Sequence, residues 1–373
     1  NETMLTVNAG EVEVPKFFSV QNGEGNPAVD PLNNRKQINS IYATAEVNYD
    51  GFWFLTLTGR EDWSSTLADP FFYPSVSTSL VISDMIRKRG GNLPEFISFL
   101  KVRGSYAEVG NDTRPYQLYN SYAVGKDPNG NAVGSYDEVK FNPALVNELI
   151  KALEFGFDTR LFNSRLGLDF AWYKNNATNQ IIEVPMDPMS GFRAELINAG
   201  NIQNTGFEIA LDGQILQSDA GLNWNSSVNF SKNTNKIIEL TDEIKNYTLG
   251  GFDNLAVRAN AGELYGNIYG TKYRRVEDTA SPFYGQKILD ANGLPQTTDA
   301  VLLGNQAPKA LVGWINSFSY KNIGLSFQID GRFGGEFFSG TNLNLQRNGV
   351  ADITAPGGKR DNFVVDGVVV DGA

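Results

Sequence analysis

No cysteine and no histidine occur anywhere in these 373 residues. Without cysteine there is no disulfide framework and no thiolate metal site, and the redox compartment leaves no mark. Without either residue, a Ser–His–Asp triad, a Cys–His pair and a conventional zinc site are all excluded. Long apolar runs are missing as well: nothing approaches the roughly 18 consecutive apolar residues of a membrane-spanning helix. That absence does not exclude a membrane protein, because barrel strands carry their hydrophobicity in every second residue and keep the average low. Positive charge is in deficit. The 31 Lys and Arg face 42 Asp and Glu, and the net charge of −11 argues against nucleic acid or an anionic surface as the main partner. The opening Asn1-Glu2-Thr3-Met4 lacks a basic region followed by an apolar one, so a secretory signal is absent from it, removed, or upstream. The closing run from Val364 to Ala373 has the look of an interrupted loop or strand, and truncation at both ends is the expectation.

What is present is alternation. Ile41, Ala43, Ala45, Val47 and Tyr49 oppose Tyr42, Thr44, Glu46 and Asn48. Trp53, Leu55 and Leu57 oppose Thr56, Thr58 and Arg60, and Leu100, Val102 and Tyr106 oppose Lys101, Arg103 and Ser105. The same two-residue period separates Leu153, Phe155 and Phe157 from Glu154 and Asp158, and Leu166, Leu168, Phe170 and Trp172 from Asp169. It returns around Phe207–Asp212, Leu222–Phe230 and Leu325–Phe333. Such patterning predicts strands with one apolar and one polar face, about ten or eleven of them, each near the ~9–11 residues that cross a bilayer at a tilt.

The predicted connections alternate in length. Tight turns fall at Asp50-Gly51, Asn163-Ser164, the Gly213–Gly221 stretch and Lys321-Asn322. Long loops are expected over Glu61–Pro74, Glu108–Glu148, Asn175–Thr205 and after Ser231. Short helical turns are expected at Ser83–Arg89, with Asp84 as N-cap, and at Leu93–Phe99. A soluble sandwich also alternates, but its strands average roughly 5–6 residues and it has no reason to sort loops by length. Sorting of this kind belongs to outer-membrane barrels, and Tyr49, Trp53, Tyr106, Trp172, Trp224, Trp314, Phe318 and Tyr320 suit their aromatic girdles.

Several blocks carry more than periodicity. Phe99-Leu100-Lys101-Val102-Arg103-Gly104-Ser105-Tyr106-Ala107-Glu108-Val109-Gly110-Asn111 resembles the LKLRxSYGxxGN strand of SusC/RagA-type TonB-dependent transporters. Arg60-Glu61-Asp62-Trp63-Ser64-Ser65 with Tyr73-Pro74-Ser75 resembles the R-x-D-x-SS … F-P-S block, and Asn142-Pro143-Ala144-Leu145 through Tyr173-Lys174 the next strand pair. Asn198–Ile209 is similar to NxGxIxNxGxE, and Asp290–Gly293, Leu303–Pro308 and Phe333–Gly335 to DxNGDG … IGxxxP … GxxG. Ala107 replaces a usual Gly, and the second Asp after Gly293 is missing.

The resemblance implies an all-β fold, a transmembrane antiparallel β-barrel of which this chain holds about half of 22 strands, in the bacterial outer membrane. Residues 37–345 would carry barrel strands and loops, 1–36 a loop or incomplete strand, and 346–373 a loop before further strands. It also implies a plug, a SusD-like surface lipoprotein, and energy from the TonB complex through N-terminal parts outside this chain. The expected activity is import of oligosaccharides or peptides, not catalysis. A passive porin, a siderophore or cobalamin importer and a soluble carbohydrate-binding β-protein are the alternatives.

Candidate residues follow. Lys101, Arg103, Glu154, Asp158, Glu208, Asp330 and Arg332 fall on polar strand faces and are expected to line a wet lumen, the carboxylates pairing with Lys101, Arg103 or Arg332. Tyr73, Tyr116, Tyr119 and Tyr122, in expected loops, are candidates to stack on sugar faces or peptide side chains, and equally suit loop packing or contact with the lipoprotein. Asp290 and Asn292, with Asp299, place hard oxygens as a calcium loop would, though an Asn-Gly turn explains them as well. Asp127–Asn131 reads as a surface turn. No other cofactor and no nucleic acid are expected.

Overall fold

The computed structural model describes residues 2–8, 11–23, 28–127, 129–219, 221–241, 244–360 and 364–369. Asn1 and 370–373, on which the expectations for the ends partly rest, lie outside the described residues, as do Pro128 and Ala220 in two expected turns.

Ten strands form one antiparallel meander. They are β1 (Ile38–Tyr49), β2 (Trp53–Ser64), β3 (Phe71–Val81), β4 (Ile97–Asn111) and β5 (Glu148–Leu161). Then come β6 (Leu166–Pro185), β7 (Ala194–Leu216), β8 (Leu222–Glu239), β9 (Ala310–Tyr320) and β10 (Ile323–Phe333). Each pairs with its neighbours in chain order, and β1 and β10 are the open edges.

One rim holds the short connections: Asp50-Gly51, helix α1 (Ile82–Lys88), 162–165, 217–221 and Lys321-Asn322. Asp50 and Lys321 stand at positive φ there, as tight turns require. Helix α1 forms where expected, but Val81 is its cap and Asp84 pairs instead with Arg87 at 3.3 Å. The second expected helical turn is not there: Ile97 already opens β4.

The opposite rim differs most from expectation. Residues 175–185 and 194–205 continue β6 and β7 instead of looping, 61–64 and 71–74 belong to β2 and β3, and β8 runs on past Ser231 to Glu239. These extensions are rich in Asn, Gln and Thr. Beyond the membrane both faces of a strand are wet, so the alternation that marks a strand disappears while the ladder goes on.

Register fixes the faces, since paired residues share one. The row through Tyr49 and Trp53 continues through Leu80, Val102, Phe157, Phe170, Ile209, Phe230 and Val312 to Gly331. On β1 and β2 this row sits at the turn, whereas Val312 and Gly331 stand eight residues from the turn at Tyr320 and Ile323, eight strands further on. A stagger of one residue per strand, about 3.3 Å against a spacing of about 4.8 Å, corresponds to a tilt of about 35°, as in membrane barrels.

On this face apolar residues run upward from the short-turn rim until a charge appears: Glu61 on β2, Glu108 on β4, Lys151 on β5, Lys174 on β6 and Lys232 on β8. From Leu161 to Leu153 is nine residues, which at that tilt makes a band of roughly 25 Å. Its large side chains stay uncovered: Ile41 is 68 % exposed, Leu325 61 % and Phe155 52 %. A soluble sheet would bury such a face. Rings stack along it, Phe157 on Phe170 at 5.5 Å, Phe170 on Phe207 at 6.4 Å and Phe207 on Phe230 at 5.7 Å. Indole N–H groups donate to the next strand on the same face, Trp53 to Thr78, Trp224 to Asn316 and Trp314 to Ser226, each at 2.9 Å. In hydrocarbon an unpaired donor would be costly.

The buried clusters sit at the long-loop rim, where water drives burial. One joins Leu67, Phe71, Val139, Leu145, Ala194 and Leu196, and the other Ile237, Leu240 and Ala259. Between β8 and β9 the chain folds a separate four-stranded sheet from Asn246–Phe252, Leu255–Asn260, Asn267–Gly270 and Val301–Asn305.

Candidate functional site

The other face of the meander is polar, and register puts Lys101, Arg103, Glu154, Asp158, Glu208, Asp330 and Arg332 all on it. Its centre is a chain of ion pairs. Arg103 on β4 reaches across β5 to Asp169 on β6 with two hydrogen bonds of 2.8 and 3.0 Å, and lies 3.6 Å from Glu154. Arg160 on β5 repeats this one step on, meeting Asp212 on β7 at 2.9 Å and Asp158 at 3.8 Å.

Two glycines make these spans possible. A Cβ at Gly156 would stand 2.9 Å from the Arg103 Cζ, and one at Gly167 would stand 2.8 Å from the Arg160 Cζ. Each guanidinium therefore passes directly over a glycine of the intervening strand. Pairing differs from expectation in its cations. Neither Lys101 nor Arg332 forms an ion pair among the described residues, and Arg332 donates to the Gln306 carbonyl at 3.4 Å. Asp330 instead accepts from Gln328 at 2.9 and 3.0 Å. Arg160, not singled out by the sequence, carries half the network.

Two hollows open on this face. The larger, about 630 Å³, is lined by Asp169, Glu208, Asn229, Gln328, Asp330 and Arg332 among others. The smaller, about 230 Å³, lies among Thr56, Ser77, Lys101, Arg103 and Glu154.

At the long-loop rim the family-like blocks meet one another. Asp62 accepts from Arg60 at 2.9 Å and from the Tyr73 hydroxyl, while Arg60 also reaches Ser40 at 2.9 Å. Tyr73 is thus a strand residue of β3, held by its hydroxyl, and not a loop aromatic as expected. Just beyond β4, the nearly buried Asp112 binds Lys36, Ser64 and Thr66. Burial pushes the Asp112 carboxyl up, but hydrogen bonds from Lys36, Ser64 and Thr66 outweigh it and hold the group below the usual carboxylate range.

Tyr116, Tyr119 and Tyr122 are all well exposed at this rim. The Tyr116 hydroxyl accepts from the Arg35 N–H at 3.2 Å. Tyr122 lies in the hairpin formed by Tyr122–Lys126 and Ala132–Tyr136, with its ring 6.2 Å from Tyr136, which in turn packs on Phe192 at 5.6 Å.

The calcium-like loop folds as a turn. Asp290 Oδ1 accepts from the backbone of Asn292 at 2.9 Å and Leu294 at 2.8 Å, Gly293 takes positive φ, and Asp299 is exposed. No group of three or more acidic side chains suited to a metal occurs among the described residues. Asp127 makes a similar turn, accepting from Asn129 at 2.9 Å and Asn131 at 2.8 Å.

A second polar knot ties the inserted sheet down. Glu263 accepts from Asn260 at 3.1 Å, Asn267 at 2.9 Å and the Tyr269 hydroxyl, and the Tyr269 bond leads in holding its carboxyl below the ordinary value. Asn305 joins Asn267 at 2.8 Å, and Glu336 caps the Asn305 N–H at 2.8 Å. This explains the spacing of Leu303–Pro308 and Phe333–Gly335: the two blocks fold against each other. The partners Glu263 and Glu336 sit outside any alternating run, so periodicity could not find them.

An apolar band about 25 Å tall, a polar reverse face and loops sorted by rim together define an outer-membrane β-barrel wall. Residues 14–345 match the family described as TonB dependent receptor-like, beta-barrel, and the chain belongs to that family, in the bacterial outer membrane. TonB-dependent receptor P26 of Formosa agariphila is 28 % identical over 328 residues, covering 81 % of this chain and 32 % of that protein. TonB-dependent receptor P3 of the same organism is 27 % identical over 345 residues, covering 86 % and 34 %. This chain therefore spans about a third of those relatives. Among solved structures, the RagAB peptide transporter superposes with a TM-score of 0.69 at 22 % identity, over 85 % of this chain and 36 % of that one. The "closed-closed" state of the RagAB peptide importer gives 0.70 at 21 %, over 87 % and 36 %.

Proposed function

We propose that this chain is wall and rim of an active importer that carries peptides or oligosaccharides across the outer membrane. The observation that carries the reading is the polar face, with bridging Arg103 and Arg160 opposite a lipid-facing band, in a chain of the TonB-dependent family. A face so dense in paired charge offers many weak, exchangeable contacts and no reaction centre, which suits passage and not catalysis. The TonB complex supplies the energy through parts of the polypeptide outside this chain. A SusD-like surface lipoprotein closes the long-loop rim, where Tyr116, Tyr119 and Tyr122 stand exposed to cargo or lid. The fold shared with a peptide transporter supports peptide as one cargo class.

The test uses the complete protein in its native membrane. Uptake of labelled oligopeptides and oligosaccharides is compared with and without a functional TonB complex, and lipoproteins that copurify are identified. Uptake of either class that stops without TonB is the expected result. Uptake that continues unchanged would make the barrel a passive porin, and TonB-dependent uptake of iron chelates alone would move it to the siderophore importers.

A further inference from the structure

The chain as a whole is short of positive charge, yet β5 to β8 sort their charges by face. All four lysines of these strands, Lys151, Lys174, Lys232 and Lys236, lie on the apolar face by register: Lys151 pairs with Asn176, Lys174 with Thr205, Lys232 with Phe207 and Lys236 with Gln203. The carboxylates Glu154, Asp158, Asp169, Glu208 and Asp212 all lie on the other. Lys151, Lys174 and Lys232 stand at the upper limit of the apolar band, and Lys236 is four residues further along β8. All four side chains are exposed, and none has an ion pair or hydrogen bond from its ammonium group among the described residues. Two acids share this face near the row: Glu239 on β8, whose pairing with Asn201 places it one step above the Lys236–Gln203 pair, and Glu108 on β4, across from Lys151. Glu108 accepts a hydrogen bond from Tyr106, and the cross-strand partners of Lys174 and Lys232 (Leu153, Thr205 and Phe207) carry no charge.

We propose that this lysine row binds the phosphorylated headgroup of an outer-leaflet glycolipid. The long-loop rim is the extracellular one in barrels of this kind, so the limit of the band there is the headgroup level of the outer leaflet. Acyl chains then lie along Phe155, Trp172, Phe207 and Phe230, which are stacked directly below the row. Ammonium groups on long stems reach headgroup phosphates while their methylenes cover apolar surface. Local charge decides here, because screening confines each interaction to about 8–10 Å, and four lysines against Glu108 and Glu239 leave this stretch of the face net basic. The site rests on the membrane reading alone, and is independent of which cargo the barrel carries.

Native mass spectrometry of the complete protein in detergent, with added lipid A bearing or lacking its phosphates, tests the site. Diphosphorylated lipid A is expected to stay bound, and the dephosphorylated form to be lost. Replacing all four lysines by glutamine removes the adduct, each single change weakening it about fivefold, while the four Lys→Arg changes retain it. Lys16→Gln, far from the row in sequence, serves as the control. Equal retention of the two lipids, or by the parent and the glutamine variant, would overturn the proposal. Should the glutamine variant not fold, the comparison of the two lipids on the parent decides alone. Loss of cargo uptake with intact lipid adducts would bear on the importer reading and leave this site standing.

Discussion

At the residue scale the ion-pair network depends as much on what is absent as on what is charged. Arg103 and Arg160 reach two strands away only because Gly156 and Gly167 leave the surface between bare. These pairs are partly exposed, so each contributes little stability alone, about 1 kcal/mol or less. Filling the glycine is worse than losing the charge. Gly167→Val is expected to destabilise the folded protein by about 1–3 kcal/mol, read from urea unfolding in detergent, and by clearly less in an Arg160→Gln background. Equal costs in both backgrounds would mean the glycine serves only the strand. Asp112 gives a pH prediction of definite sign. Its folded value lies below the usual carboxylate range, so its contribution is complete above an unfolded value near about 3.9 and is lost as pH falls through the lower folded value. Amide exchange at Gln37 and Ser65 is therefore expected to stay slow at pH 5 and to rise only below about pH 4. In Asp112→Asn that acid step should vanish.

Elements were legible in the sequence wherever lipid imposes alternation. From Trp53 to Gly59, Leu153 to Leu161 and Leu222 to Phe230, one face must be greasy and the other wet, and the period of two is plain. Above the band that demand ceases, and Asn175-Asn176-Ala177-Thr178 reads as loop although it is strand. Turns with positive φ were found through Asp-Gly and Lys-Asn. The rim knots at Asp112 and Glu263 were not: Lys36, Ser64 and Thr66 reach Asp112 from distant segments, and Glu263, though its partners Asn260, Asn267 and Tyr269 are near in sequence, sits outside any alternating run. The two faces should answer mutation oppositely. Phe170→Arg, near the middle of the band, is expected to cost about 2–4 kcal/mol, whereas Asn229→Arg on the polar face should stay within about 0.5 kcal/mol. Stability in lipid vesicles, measured for both, checks the assignment. Similar costs would mean that the apolar face does not meet lipid.

For the whole molecule the decisive feature is an open sheet. The outer edges of β1 and β10 carry backbone groups with no strand beyond them among the described residues. Each such group facing hydrocarbon costs several kcal/mol. This stretch produced by itself is thus expected to aggregate or pair edge to edge in detergent, while the complete protein is monodisperse; light scattering distinguishes the two. A monodisperse monomer of the stretch alone would contradict the open edge.

Strand length has one more consequence. Tilted by about 35°, the 12 residues of β2 rise roughly 30 Å and barely clear a bilayer, whereas the 23 residues of β7 rise roughly 60 Å. The parapet is therefore not level. Seen from outside the cell, one arc is a low sill over β1 to β3, and the arc over β6 to β8 is a tower. Whatever sits on this parapet leans on masonry at one side and opens toward the sill at the other.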